Sequence, residues 1–254
     1  MEKFTLSPDL FSKITNQITD YMGNNPGPYY AAFDADGTLW DSDMGEQFFQ
    51  YKIDNCNLER LKNIDPWEYY ESTKKVDPIK AYLWLAQITT GHSIDQVQTW
   101  AKEAVEHYGA KVFESQKKLI SWLHDHNIET FIVTASIQWA VEPAAHLVGI
   151  DSDHVLGIKT KINEQGLVTD EQDGPITWRQ GKADALLART NGARPIFCSG
   201  NTYGDIALIE SSACAKLAVQ TQVEENSLFE EESKLREHAK ENQWDLHHFF
   251  NESV

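Results

Sequence analysis

Three cysteines in 254 residues are too few to staple this chain or to hold a metal in it. Cys56, Cys198 and Cys214 share no ligand-like spacing and form no even set, which excludes a disulfide framework and a zinc module. Cys198 follows Ile196 and Phe197 and reads as a small core residue. Basic charge is also scarce: 22 Lys and Arg against 39 Asp and Glu leave a net charge of −17. No stripe of Lys and Arg runs along the chain, and without one a nucleic-acid backbone has nothing to bind. Long hydrophobic runs are missing as well. None approaches the ~20 residues of a membrane span, and the opening Glu2, Lys3, Ser7, Pro8 and Asp9 leave no apolar core for a signal peptide. The expectation is a cytoplasmic chain with neither nucleic acid nor membrane as partner. Acid is densest in Glu224, Glu225, Glu230, Glu231 and Glu232, which reads as a solvated helix face.

What is present suffices for a large core. Apolar residues make up 41% and charged residues 24%, the balance of a globular chain with one large domain or a core plus a smaller one. Leu10, Phe11, Ile14, Ile18 and Tyr21 recur at helical spacing until Asn24-Asn25-Pro26-Gly27-Pro28 stops them. A strand follows and ends at Asp34. From there to about Phe113 the pattern is helical and poor in strand signals, with Ser93 as an N-cap ahead of Val97, Trp100 and Ala101. Beyond it, helix Ser115–Asn127, strand Thr130–Val133 and helix Trp139–Val148 alternate, and Val155–Val168 reads as a hairpin around Asn163-Glu164-Gln165-Gly166. Helix Lys182–Thr190, strand Pro195–Cys198, helix Asp205–Ser211 and strand Leu217–Val219 complete the series. Strands alternating with helices predict a doubly wound, parallel α/β sheet. The helical stretch after the first strand reads as an insertion.

Four polar clusters sit at the ends of these strands or at the helix that follows. Asp34 and Asp36 lie one residue apart in Phe33-Asp34-Ala35-Asp36-Gly37-Thr38, after an apolar strand. Buried acids are costly unless paired, and a divalent cation with oxygen ligands is a natural partner. Thr134-Ala135-Ser136 offers hydroxyls and backbone N–H groups at the start of a helix, an arrangement that binds phosphate. Gly181-Lys182 opens a later helix with an ammonium. Asn201 and Asp205 place an amide and a carboxylate one helical turn apart.

This order resembles the signatures of the haloacid dehalogenase-like (HAD) hydrolases, over about Tyr29 to Val219. The resemblance implies a Rossmann-like core over 1–40 and 114–254 with a helical cap over 41–113, as in the phosphoserine phosphatase-like branch. It implies Asp34 as the nucleophile that becomes a phosphoaspartate and Asp36 as the general acid/base, whose backbone carbonyl also binds Mg²⁺. It implies Thr134 and Ala135 as phosphate-binding, and Lys182 as the lysine that neutralises nucleophile and phosphate. Asn201 and Asp205 would complete the metal site with Asp34 and Asp36, Asn201 standing where many relatives carry Asp. The implied activity is Mg²⁺-dependent hydrolysis of a small phosphomonoester. A phosphotransferase of the same fold and a catalytically silent metal- or phosphate-binding protein are the alternatives. Asp36 counts against a dehalogenase, which needs no proton delivered to a leaving oxygen.

Within that branch, Trp40-Asp41-Ser42-Asp43-Met44-Gly45-Glu46 and Tyr82–Gly91 are similar to the phosphorylcholine phosphatases. That likeness implies a cationic head group received by Asp43, Glu46, Trp40 and Tyr82, since a quaternary ammonium binds over aromatic faces.

Overall fold

The computed structural model describes residues 6–221 and 228–249; Glu224 and Glu225 lie outside them. Strand β1 (Tyr29–Phe33) stands near the middle of a six-stranded sheet, with β2 (Ile128–Ile137) and β3 (Val155–Ile158) on one side. On the other side follow β6 (Phe197–Gly200), β7 (Ala215–Gln220) and β8 (Asp245–His248). Every pairing is parallel, and a parallel sheet needs both faces covered. Alternation along β1 supplies this: Ala31 and Phe33 pack on one side, with Ile14 and Ile18 of α1 (Pro8–Asn24) and Leu119 and Leu123 of α6 (Glu114–Asp125). Ala32 packs on the other, with Leu186 of α8 (Gln180–Arg189), Leu208 of α9 (Ile206–Glu210) and Leu235 of α10 (Phe229–Glu241).

The chain winds outward from β1 to β3, then returns and winds the other way from β6 to β8. The switch lies between β1 and β6, and such sheets bind ligands beyond the carboxyl ends of the strands at that point. Asp34 and Asn201 each follow one of these two strands.

Between β1 and α6 lie α2 (Met44–Asn55), α3 (Pro66–Val76), α4 (Pro78–Gln87) and α5 (Ile94–Tyr108). Their starts are written locally. Asp43, Asp65, Asp77 and Ser93 each accept a backbone N–H as N-caps, and Pro66 and Pro78 take the first helical position, where no donor is needed. These helices bury their own cluster, including Phe48, Phe49, Tyr70, Leu85, Val97 and Ala101. It closes on Trp139 and Ala140 of α7 (Gln138–Ala145) and on Val168.

Three expectations change. The hairpin is β4 (Thr160–Ile162) against β5 (Val168–Gln172), while Val155–Ile158 leaves it to pair with β2. Strand β2 continues through Ser136 to Ile137, so Thr134 lies within a strand and the helix starts only at Gln138. Glu232 is not solvated: Glu230 is exposed, but Glu232 turns inward and is buried. Strand β8 had no sequence reading at all, because Asp245-Leu246-His247-His248 is short and polar, as sheet edges often are. No helix among the described residues is long and apolar enough to cross a membrane.

Candidate active site

Asp34 leaves β1 buried, its backbone N–H donating to Ser199 O of β6 at 2.9 Å. Lys182 Nζ lies 2.5 Å from Asp34 Oδ1 and 2.5 Å from Asp205 Oδ1. All three groups are buried, and a buried cation between two carboxylates is tolerable because each charge has a partner. Burial and then the Asp205 charge raise the Asp34 carboxyl to about 7, against the pull of Lys182. Burial works against the Lys182 charge, but Asp205 and Asp34 outweigh it and hold the ammonium above its ordinary range. Lys182 reaches this place because Gly181 has no side chain: a Cβ there would lie 2.0 Å from Ile176 O.

The loop after β6 divides its two polar residues. Asp205 Oδ2 accepts from the Asn201 and Thr202 backbone N–H groups and from Thr202 Oγ1, so both its oxygens have protein partners. Asn201 faces Asp34 instead. The Thr38 hydroxyl bridges Asp34 Oδ2 at 3.1 Å and Asn201 Oδ1 at 3.3 Å. Asn201 Nδ2 donates to Glu232 Oε1 at 2.9 Å. Gly37, at φ +78°, lets the turn pass beneath this amide, since a Cβ there would meet Asn201 Nδ2 at 2.1 Å.

Asp36 is held from three directions. Trp40 Nε1 and the Met44 N–H donate to Oδ1 at 2.8 and 2.9 Å, and Ser136 Oγ donates to Oδ2 at 2.7 Å. Burial still raises its carboxyl, with these donors opposing. Thr134 is buried beside it; its Oγ1 accepts from the Ser136 N–H at 3.0 Å, and its backbone oxygen accepts from Thr177 Oγ1 at 2.5 Å.

A cavity of about 730 Å³ opens over these groups, lined at its base by Asp34, Thr134, Ala135, Lys182 and Asn201. Asp43, Glu46 and Tyr82 line its helical wall. Trp40 does not. It is fully buried in the core and touches the site through its side-chain bond to Asp36 and its backbone oxygen, which accepts from the Gly37 N–H. Asp43 caps α2 through the Glu46 N–H at 2.7 Å, and burial, then the Asp36 charge, push its carboxyl well up. Sequence reasoning missed Lys74, whose Nζ lies 3.6 Å from Glu46 Oε1 and 5.1 Å from the Tyr70 ring centre. It also missed Trp178, which faces Tyr82 across the cavity at 6.4 Å, and Glu232. Only helical spacing marked Lys74 and Glu232, and spacing alone does not say which face meets a site.

Among the described residues, the Thr38 hydroxyl brings the Asp34 carboxylate and the Asn201 amide oxygen together as a pair of oxygen donors. Hard oxygen donors with few protein ligands suit Mg²⁺, which keeps several waters and binds substrate phosphate.

A family model of the haloacid dehalogenase-like hydrolases matches residues 31–210. The phosphorylcholine phosphatase of Pseudomonas aeruginosa is 21% identical over 239 residues, with 68% of each chain covered. A conserved protein of unknown function from Anaerococcus prevotii superposes at TM-score 0.71 and 16% identity, over 97% of this chain and 94% of its own. A phosphoserine phosphatase solved as an analogue of its phospho-aspartyl intermediate superposes at TM-score 0.53 and 14% identity, over 87% and 93%. At these identities the solved structures share the fold. The matched span runs from within β1 to the end of α9 and encloses Asp34, Thr134, Lys182, Asn201 and Asp205; the chain belongs to the haloacid dehalogenase-like hydrolases.

Proposed function

We propose that this hydrolase is a Mg²⁺-dependent phosphatase of small phosphomonoesters that works through a phosphoaspartate on Asp34. The observation that carries the reading is Asp34 at the switch point, under an open cavity, with Lys182 Nζ at 2.5 Å and the Asn201 oxygen beside it. Asp34, the Asp36 backbone carbonyl and Asn201 Oδ1 would hold the metal. Asp205 would not, contrary to the sequence expectation, because Lys182, Thr202 and the Asn201 N–H occupy its oxygens; its part is to fix Lys182. Mg²⁺ bound there would screen the phosphate charge from the attacking carboxylate.

The steps then belong to this chain's own residues. An Asp34 oxygen attacks phosphorus while the bond to the leaving oxygen breaks, and Asp36 gives that oxygen its proton. Asp36 next takes a proton from water as the water oxygen attacks phosphorus, releasing phosphate and restoring Asp34. One displacement becomes two easier ones. The Thr134 hydroxyl accepts from Ser136 and keeps its own hydrogen to donate to a phosphate oxygen, with the Ala135 backbone beside it. Lys182 holds the charge of a second oxygen throughout. The helices over 41–113 serve as a cap that narrows the entrance. Three unpaired thiols suit a cytoplasmic setting.

A cationic head group, as in phosphocholine, is the finer reading. Asp43, Glu46 and Tyr82 on the cavity wall support it, as does the likeness to phosphorylcholine phosphatase. Lys74 already pairs with Glu46 there, so such a head group has to displace it.

Asp34→Asn tests the mechanism. The variant should keep its circular dichroism spectrum and melting profile yet lose turnover of p-nitrophenyl phosphate, since an amide forms no acyl-phosphate. Folded protein with near-normal turnover rules the covalent route out.

A further inference from the structure

The site departs from an all-carboxylate metal centre at Asn201, and the missing charge stands directly behind it. Glu232 is only 1% exposed. It comes from α10, far along the chain from the loop after β6, and its carboxylate is fixed on both oxygens. Thr221 N–H donates to Oε2 at 3.0 Å, while Thr221 Oγ1 and Asn201 Nδ2 donate to Oε1 at 2.8 and 2.9 Å.

An amide has a donor end and an acceptor end, and burial forces a choice between them. With a carboxylate on one side, the NH₂ group faces Glu232 and Oδ1 faces Thr38 and Asp34. The reverse orientation sets Oδ1 against the Glu232 carboxylate and turns two N–H groups toward the metal position. Burying polar atoms unpaired in that way is costly. The same hydrogen bond draws charge along the amide, which makes Oδ1 a better donor to a cation.

We infer that Glu232 is a positioning residue: it fixes the Asn201 amide with its oxygen toward Asp34 and returns, one residue removed from the cation, the negative charge that Asn201 lacks. This rests on the proposed Mg²⁺ site. It also reverses a simple expectation about Asn201→Asp. A carboxylate at 201 adds charge beside the metal but meets Glu232 Oε1 at hydrogen-bond distance with no proton between them. The two positions therefore change together. In Asn201→Asp/Glu232→Gln the polarity of the bond inverts, the new amide donating to the new carboxylate while its own oxygen accepts from the Thr221 N–H. The Thr221 hydroxyl, which donates to Oε1 in the wild type, turns to accept the second amide hydrogen.

The test is isothermal titration of MgCl₂ into metal-stripped full-length protein without substrate, for the wild type, both single variants and the double variant. Melting temperatures in EDTA are measured alongside. Glu232→Gln should weaken Mg²⁺ binding on the order of 10–100-fold, as removal of a ligand's orienting partner does. Asn201→Asp alone should also bind worse than the wild type, and the double variant should return to within about threefold of it. A role confined to stability would lower the EDTA melting temperature without that rescue. The inference is overturned if Glu232→Gln binds Mg²⁺ within about twofold of wild type, or if the double variant binds no better than Glu232→Gln. A wild type that binds no Mg²⁺ overturns both this inference and the metal requirement of the proposed phosphatase. Coupled Mg²⁺ binding in a protein that hydrolyses no phosphomonoester removes the phosphatase reading alone.

Discussion

Lys74 occupies the place where a substrate ammonium would go: near the Glu46 carboxylate at 3.6 Å and over the Tyr70 ring. Its side chain is 33% exposed, so the pair contributes about 0–1 kcal/mol and can be displaced. Burial works against its charge, yet Tyr82, Glu46 and Glu71 raise its proton affinity, so it remains an ammonium at neutral pH. Lys74→Met should therefore raise kcat/KM for phosphocholine by up to about fivefold over a neutral alkyl phosphate of similar size. Adding Glu46→Gln should cancel the gain. Steady-state kinetics on both substrates measure this, and an unchanged ratio in Lys74→Met would remove the cationic head group from the reading. Asp43 and Glu46 were legible as candidates because two acids so near the catalytic turn need partners. Lys74 was not, because that partner came from another helix.

At the scale of elements, α2 carries a buried lysine whose ammonium meets no carboxylate among the described residues. Lys52 is fully buried, donates to Leu85 O at 2.9 Å and lies 4.3 Å from the Phe48 ring centre. Burial lowers its proton affinity from 10.5 to about 7. Between those values the unfolded chain keeps a proton that the folded chain has released, so stability rises with pH across that window. Below about pH 7 both states carry the charge and the folded state bears its full burial cost. Lys52→Met should stabilise the protein at pH 6–7 by about 1–4 kcal/mol and flatten the slope between pH 7 and 10. Urea melts at several pH values read both effects; a wild type whose stability does not rise over that range contradicts the assignment. The sequence marked this region as helical without bounding the helix or its Asp43 cap. That Lys52 turns into the interior was not legible there, because its neighbours arrive from α4.

For the whole molecule, the net charge of −17 opposes the approach of a dianionic phosphate. At low ionic strength this field extends roughly 30 Å, and near 0.15 M about 8 Å. With Mg²⁺ saturating, kcat/KM for an aryl phosphate should rise as salt is added over that range. A fall would mean that the local charge of Lys182 and the metal dominates over the surface at long range. The sheet explains why the site survives in such an acidic chain. Its order brings the ends of β1 and β6 together, and Lys182 and Asp34 neutralise one another there.

The sequence by itself determined the local structure: the cap at Ser93, the buried run of β1, and the alternation that makes a parallel doubly wound sheet. It also determined the identity and order of Asp34, Asp36, Thr134, Lys182, Asn201 and Asp205, since each follows an apolar strand or opens a helix within a short span of chain. Only the tertiary structure decided which of Asn201 and Asp205 faces Asp34, that Trp40 belongs to the core, that Val155–Ile158 joins the sheet, and that Glu232 stands behind the amide. Each of those outcomes depends on contacts between residues far apart in the chain. Periodicity reports only that a side chain has a face, and the packing of distant elements chooses what that face meets.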